Sequence, residues 1–346
     1  MGMAEETNTF PPPAAVMIDL MDGFIRTQII AVAANLGVAD ALHEGPKSIS
    51  QIADSVGADP IALGRVMRTL ASIGVFVENE QGIYEQNPLS ETLRSDIPGS
   101  LNAFATLYGQ DWYRLPWMNL TEYVRDGKQV PFERAHGISI FEYLGTDELA
   151  ARTFNDAMTA TTQAAESPIT DAYDFTPFDL IVDIGGGEGA MLAAALESSP
   201  ESHGILFDQP GVVTGAPAVL ASKGVEGRCE VVGGSFFESV PAGGDAYLLK
   251  FVLHDWDDDQ SKTILKKIRE QIKPGGTLLL IERGIVAENS EPDPIKFMDL
   301  HMMAMLGGLE RTESQFRGLL ASERFELTRV IPTSSPTNIL IEAKPV

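Results

Sequence analysis

Val182-Asp183-Ile184-Gly185-Gly186-Gly187-Glu188-Gly189 places a carboxylate inside an apolar run that ends in a cluster of glycines. The apolar run begins at Leu180, and a helical pattern follows from Ala190 to Leu196. This order predicts a buried strand, a tight turn and a helix. Glycine has no Cβ, so such a turn can adopt unusual dihedrals and let a ligand approach bare backbone. The helix N-terminus beyond it offers free N–H groups. The turn therefore suits a nucleotide-like ligand at the carboxyl end of a sheet. Gly185, Gly187 and Ala190 also fit the G-x-G-x-x-A spacing of dinucleotide binding. Asp208 closes a second apolar run, Gly204-Ile205-Leu206-Phe207, where an acid grips the ribose hydroxyls of either NAD or S-adenosylmethionine. The turn and this acid leave the choice between the two cofactors open.

The surrounding pattern alternates strand and helix from about residue 171 onward. Candidate strands are 180–184, 204–207, 229–232, 246–251, 277–281, 325–331 and 338–343. The last two are joined only by Pro332-Thr333-Ser334-Ser335-Pro336-Thr337, too short for a parallel crossover, so they must run antiparallel. A parallel sheet closed by an antiparallel hairpin favours a methyltransferase sheet over a dehydrogenase. Upstream, residues 14–100 read as short helices followed by a hairpin. Leu20, Met21, Phe24, Ile25, Ile29, Val32 and Leu36 fall near helical spacing, and Gly37 is a stop signal. Ser48 and Asp59-Pro60 open further helices, the latter with an apolar face of Leu63, Val66, Met67, Leu70 and Ile73. Val75-Phe76-Val77 and Ile83-Tyr84 flank a turn at Glu80-Gln81-Gly82. Helix, turn, helix and hairpin form a winged-helix pattern. Residues 101–170 are helical and aromatic-rich, and residues 1–13 read as a loose tail.

Composition narrows the function classes. With 346 residues, 44% hydrophobic and 21% charged, the chain is a soluble globular protein of two domains. Its net charge of −24 repels phosphates and argues against a nucleic acid or anionic-membrane partner. That charge sets dimer formation above DNA binding as the role of the winged module. Its first helix is too apolar to be buried within so small a unit, which favours an obligate homodimer. Cys229 is the sole cysteine, so no internal disulfide forms; a reducing, cytoplasmic location is expected. No apolar run is long enough for a transmembrane helix. The N-terminus lacks the basic-then-apolar form of a signal peptide, and Glu6 stands where myristoylation wants Ser or Thr.

From about residue 15 to 345 the chain resembles small-molecule O-methyltransferases of the class that includes plant caffeic acid O-methyltransferases and bacterial polyketide-tailoring enzymes. The resemblance rests on Val182–Gly189, Phe207-Asp208-Gln209-Pro210, Gly233-Gly234-Ser235-Phe236-Phe237, Leu249-Lys250-Phe251-Val252-Leu253-His254-Asp255-Trp256, and Gly307-Gly308-Leu309-Glu310-Arg311-Thr312. It implies a class I methyltransferase (Rossmann-like) α/β sheet at 171–346 and an N-terminal domain that forms a domain-exchanged dimer. It also implies S-adenosylmethionine as cofactor, with S-adenosylhomocysteine as product. Asp183, Gly185 and Gly187 would surround the amino-acid part of the cofactor. Asp208 would bind both ribose hydroxyls, Phe236 would lie against adenine, and Lys250 would sit beside the cofactor. Ser235 replaces the Asp that usually contacts the adenine amino group, a shorter and uncharged acceptor.

In the same resemblance His254 is the general base. A phenol ionises near pH 10 and is a poor nucleophile when neutral, whereas imidazole titrates near neutrality and can take its proton. Glu282 and Glu310 match the family's orienting carboxylates. Met302 matches a substrate-clamping methionine within the Met298–Met305 stretch that also holds Asp299 and His301. Asp255, Trp256 and Met158 are further substrate-lining candidates. His43, His136 and His203 have no ligand-like partners, and no metal-binding spacing exists. The expected activity is metal-independent methylation of a hydroxyl on a small aromatic molecule in secondary metabolism, such as antibiotic biosynthesis. N-methylation or cofactor-dependent hydroxylation on the same fold, a cofactor-sensing winged-helix regulator and an NAD enzyme are the alternatives.

Overall fold

The computed structural model describes residues 11–285, 291–335 and 338–346. The chain divides between Arg114 and Leu115 into two compact units. The first holds helices α1 (Pro13–Met21), α2 (Gly23–Asn35) and α3 (Val38–Ala41), strand β1 (Lys47–Ser48), helices α4 (Ile49–Val56) and α5 (Pro60–Ser72), strands β2 (Val77–Glu78) and β3 (Ile83–Glu85), and helices α6 (Pro88–Glu91) and α7 (Asn102–Gly109). The division falls inside α8 (Asp111–Met118). It lies beyond residue 100, where composition placed the boundary. The reason is local: α7 packs on α2 so closely that a Cβ on Gly109 would stand 2.7 Å from that of Ala31.

The helix starts lie where their caps placed them. The Ser48 side chain accepts from Gln51 N in a capping box, and Asp59 accepts from Ala62 N ahead of Pro60. On α5, Leu63, Met67 and Leu70 are buried, while Ile73 lies outside the helix and half-exposed. The apolar run expected as one first helix is two, broken at Asp22. Leu20, Met21, Phe24 and Ile25 are all more than half exposed. Most of the predicted N-terminal tail, residues 1–10, lies outside the described residues, as does the Pro336-Thr337 part of the final linker.

The second unit continues through α9 (Leu120–Asp126), α10 (Pro131–His136), α11 (Ile140–Thr146) and the long α12 (Glu148–Ala172). An α/β layer follows: β4 (Leu180–Ile184), α13 (Ala190–Ser198), β5 (His203–Asp208), α14 (Ala216–Ser222), β6 (Cys229–Gly233), β7 (Ala246–Lys250), α15 (Asp258–Gln271), β8 (Thr277–Glu282), α16 (Pro294–Met305), α17 (Glu313–Ser322), β9 (Phe325–Pro332) and β10 (Ile339–Pro345). The seven strands take the order β6-β5-β4-β7-β8-β10-β9. β4 to β8 are parallel, and β10 is antiparallel to both β8 and β9, as the short linker required.

Side chains of this sheet alternate between two apolar cores. Val182, Tyr247, Leu249, Leu278 and Leu280 enter one; Ile181, Leu248, Leu279 and Ile281 enter the other. Burial on both faces explains why these strands read as unbroken apolar runs. The chain crosses from one side of β4 to the other between β6 and β7, so β4 and β7 flank the switch point where open α/β sheets bind ligands.

Candidate functional site

The carboxyl ends of β4, β5, β7 and β8 are adjacent and carry the residues singled out from the sequence. After β4 the chain turns through Gly185, Gly187 and Gly189, with φ of 69°, 62° and 87°. These are left-handed conformations that favour glycine. A Cβ on Gly187 would meet nothing within 4 Å, so the outer side of this turn is open. A Cβ on Gly186 would lie 2.6 Å from Asp183 Oδ2, so the turn folds back directly over that carboxylate.

Asp183 is fully buried, with no side-chain partner for its carboxylate and only the Leu192 N–H favouring its charged form from the backbone. Burial raises its carboxyl to about 7, although the Lys250 charge acts in the opposite sense. Asp208, at the end of β5, accepts from Gly187 N at 2.8 Å and Gln209 N at 2.6 Å. Two backbone donors hold it under the glycine turn, where a ribose diol can be received. Lys250 ends β7 with its Nζ 4.0 Å from the centre of the Phe251 ring. Ser235 caps a local turn, its Oγ accepting from Phe237 N at 3.4 Å. Phe236 meets Phe237 and Trp256 edge-on, with centroids 4.9 and 5.9 Å apart. The glycine turn, the positioned acid, the buried carboxylate and the aromatic wall together fit a nucleoside with a polar tail.

Beyond β7 a single helical turn, Leu253–Asp255, carries His254, which is only 6% exposed. Its Nδ1 lies 2.8 Å from Glu310 Oε1 and 3.8 Å from Glu282 Oε2. Nε2 lies 3.4 Å from Asp255 Oδ1. Glu282 ends β8 and Glu310 follows α16, so three distant chain segments converge on one ring. A carboxylate can only accept, so Nδ1 donates to Glu310; this fixes the tautomer and leaves Nε2 as the exchangeable site. Burial opposes charge on the ring, yet Asp255, the hydrogen bond to Glu310 and the Glu282 charge outweigh it and raise His254 to about 9. Burial also raises Asp255 to about 6 and moves Glu282 well above the usual carboxylate range. Glu282 has no hydrogen-bond partner on either oxygen. Among the described residues, His254, Glu282 and Glu310 form the one histidine–acid group compact enough to surround a cation, their ligand atoms all within 4.8 Å.

The remaining candidates are more dispersed. The Trp256 ring joins an aromatic cluster, 4.7 Å from Phe237 and stacked at 5.7 Å on Phe141. Met302 is buried and Met158 half-buried, on α16 and α12. Asp299 Oδ1 accepts from Glu310 N at 2.9 Å, tying α16 to the acid that holds His254. His301 packs beside Trp117 at 5.9 Å, and burial, followed by the His254 and Arg283 charges, lowers it to about 4.

Reading the sequence assigned no role to Arg311, although it lies within a quoted motif. It is fully buried and hydrogen-bonds the backbone on either side of His254. A buried guanidinium leaves no periodic signal; its adjacency to Glu310 was the only available pointer.

The family model for the O-methyltransferase domain matches residues 117–326, and that for the O-methyltransferase dimerisation domain matches residues 18–96. The chain is 43% identical over 335 residues to the phenazine O-methyltransferase of Lysobacter antibioticus, covering 97% of each chain. It superposes on the solved structure of LaPhzM with a TM-score of 0.91 at 43% identity, over 97% of this chain and 100% of that one. On human N-acetylserotonin methyltransferase in complex with S-adenosylmethionine the TM-score is 0.88 at 26% identity, over 100% and 99% of the two chains. With both domains matched and the site assembled at the switch point of the sheet, the chain belongs to the S-adenosylmethionine-dependent O-methyltransferase family.

Proposed function

We propose that this enzyme methylates a hydroxyl of a small aromatic secondary metabolite, with His254 as general base and without a metal. The observation that carries this reading is the 2.8 Å contact between His254 Nδ1 and Glu310 Oε1 at the carboxyl edge of the sheet. When bound, the cofactor supplies an electrophilic methyl on a sulfonium sulfur. His254 Nε2 would take the proton of the acceptor hydroxyl, so that its oxygen can act as the nucleophile. Glu310 orients the ring and balances its new charge, and Glu282 lies behind it. Asp183, Gly185, Gly187, Asp208, Ser235, Phe236 and Lys250 hold the cofactor. Asp255, Trp256, Met158 and Met302 line the substrate side. An aromatic substrate matches the rings gathered near the turn, and the phenazine enzyme's name points the same way.

The exposed apolar faces of α1 and α2 support a homodimer through the matched dimerisation domain. The charge of −24 supports a partner set without nucleic acid or membrane surface. No helix among the described residues is long and apolar enough to cross a membrane; a cytoplasmic location is part of this proposal.

The test is methyl transfer from methyl-labelled cofactor to a panel of hydroxylated and aminated aromatics, with and without a chelator. Labelled methyl ethers, formed equally with chelator and lost in His254→Ala, are expected. A general base contributes roughly 10² to 10⁴ in rate, so the variant should lose that much turnover. Full activity in His254→Ala, or chelator-sensitive turnover, would overturn the base or the metal-free assignment respectively.

A further inference from the structure

Among the described residues Arg311 is the largest fully buried side chain, and its guanidinium is shared between one ion pair and several neutral acceptors. Its one carboxylate partner, Asp258, has a side chain 61% exposed. Nη1 donates to Leu253 O at 2.7 Å, and Nη2 donates to Trp256 O at 3.0 Å, Ser261 Oγ at 3.1 Å and Asp258 Oδ1 at 2.9 Å. Nε reaches Asp258 Oδ1 at 3.1 Å. Leu253 and Trp256 bracket His254 in the chain. The same segment touches the turn twice more: Leu309 N donates to His254 O at 3.0 Å. Gly308 lies so close to that carbonyl that any Cβ there would overlap it. Residues 308–311 therefore press on the His254 turn from backbone and side chain together, and Glu310 between them accepts from the ring.

We propose that Arg311 is a positioning residue: its planar fork clamps the Leu253 and Trp256 carbonyls and so aims the His254 ring between Glu310 and the reacting hydroxyl. This rests on the His254 assignment made above. Burying a guanidinium is costly unless its donors are filled, so its place here needs a geometric return. Lysine would keep the charge but not the planar arrangement of five donors that reaches both carbonyls at once. Misplacement of a reacting group by about 1 Å can cost on the order of 10²-fold in rate.

The experiment compares full-length Arg311→Lys, Arg311→Met and Arg311→Ala with wild type. S-adenosylhomocysteine binding is read by calorimetry, and kcat and KM by labelled methyl transfer. The expected result is a fall in kcat on the order of 10²-fold in Arg311→Lys, with KM and S-adenosylhomocysteine affinity nearly unchanged, because cofactor contacts come from other loops. Added guanidinium ion should restore part of the lost kcat in Arg311→Ala and none in His254→Ala. Wild-type kcat in Arg311→Lys would overturn the proposal, as would parallel loss of turnover and S-adenosylhomocysteine binding. Should these variants fail to fold, the double variant Asp258→Ala/Ser261→Ala loosens the fork without removing it. It should lower kcat with S-adenosylhomocysteine binding intact, and an unchanged kcat would overturn the proposal. Full activity in His254→Ala would strike the base assignment, whereas a dead His254→Ala beside a fully active Arg311→Lys strikes only this one.

Discussion

Replacing Glu310 with Gln tests the acid cluster around His254 most directly. The exchange keeps the shape of the side chain and an oxygen for Nδ1 to donate to, but removes the carboxylate that hydrogen-bonds the ring. Asp255 and the hydrogen bond to Glu310 do most to lift His254 from 6.5 to about 9 against the pull of burial. Each pH unit corresponds to about 1.36 kcal/mol, so the net preference for the imidazolium is on the order of 3 kcal/mol. A base must be neutral to act. With a value of about 9, roughly one ring in a hundred is neutral at pH 7, and that share grows about tenfold per unit until the limb levels. Wild-type kcat/KM should therefore climb through pH 7 to 9 and flatten above. In Glu310→Gln the limb should shift to lower pH, and the plateau should fall because a neutral amide balances the imidazolium poorly. The assay is the pH dependence of kcat/KM, which reports the free enzyme's ionisations, run with two phenols of different acidity so that substrate ionisation is recognised by its movement. A wild-type profile flat between pH 7 and 9, or a limb that stays in place in Glu310→Gln, would refute the reasoning.

Asp208→Ala should weaken S-adenosylhomocysteine binding by calorimetry, by about 100-fold or more for two lost hydrogen bonds to a charged acceptor, while a saturated enzyme keeps most of its kcat. Asp183→Asn should change the pH dependence of stability. Burial raises the Asp183 carboxyl from 3.8 to about 7 in the folded chain. The stability it contributes is thus complete below its unfolded value and is lost as pH rises through 7. The variant should match wild type near pH 4 and exceed it at pH 8 by up to the order of 4 kcal/mol in denaturant unfolding without cofactor; equal differences at both pH values would contradict the upward shift of this buried carboxylate.

The strands, the glycine turn and the helix caps were legible in the chain because each is encoded within a few residues. Strands buried on both faces read as apolar runs, a left-handed turn needs glycine, and Ser48 and Asp59 cap the helices that follow them. The antiparallel ending was legible because six linker residues cannot carry a crossover. The break at Asp22 was not, since both halves share one apolar spacing, although α1 buries none of its residues while α2 buries Ala31, Ala33 and Ala34. Resemblance named His254, Glu282 and Glu310 separately, but sequence cannot state that two carboxylates from distant segments stand 2.8 and 3.8 Å from one nitrogen. Only the parallel register of β7 and β8, and the return of the chain after α16, bring them together. Tertiary structure also decided what Arg311 touches, because a long side chain can reach solvent or backbone equally well until the surrounding fold closes over it.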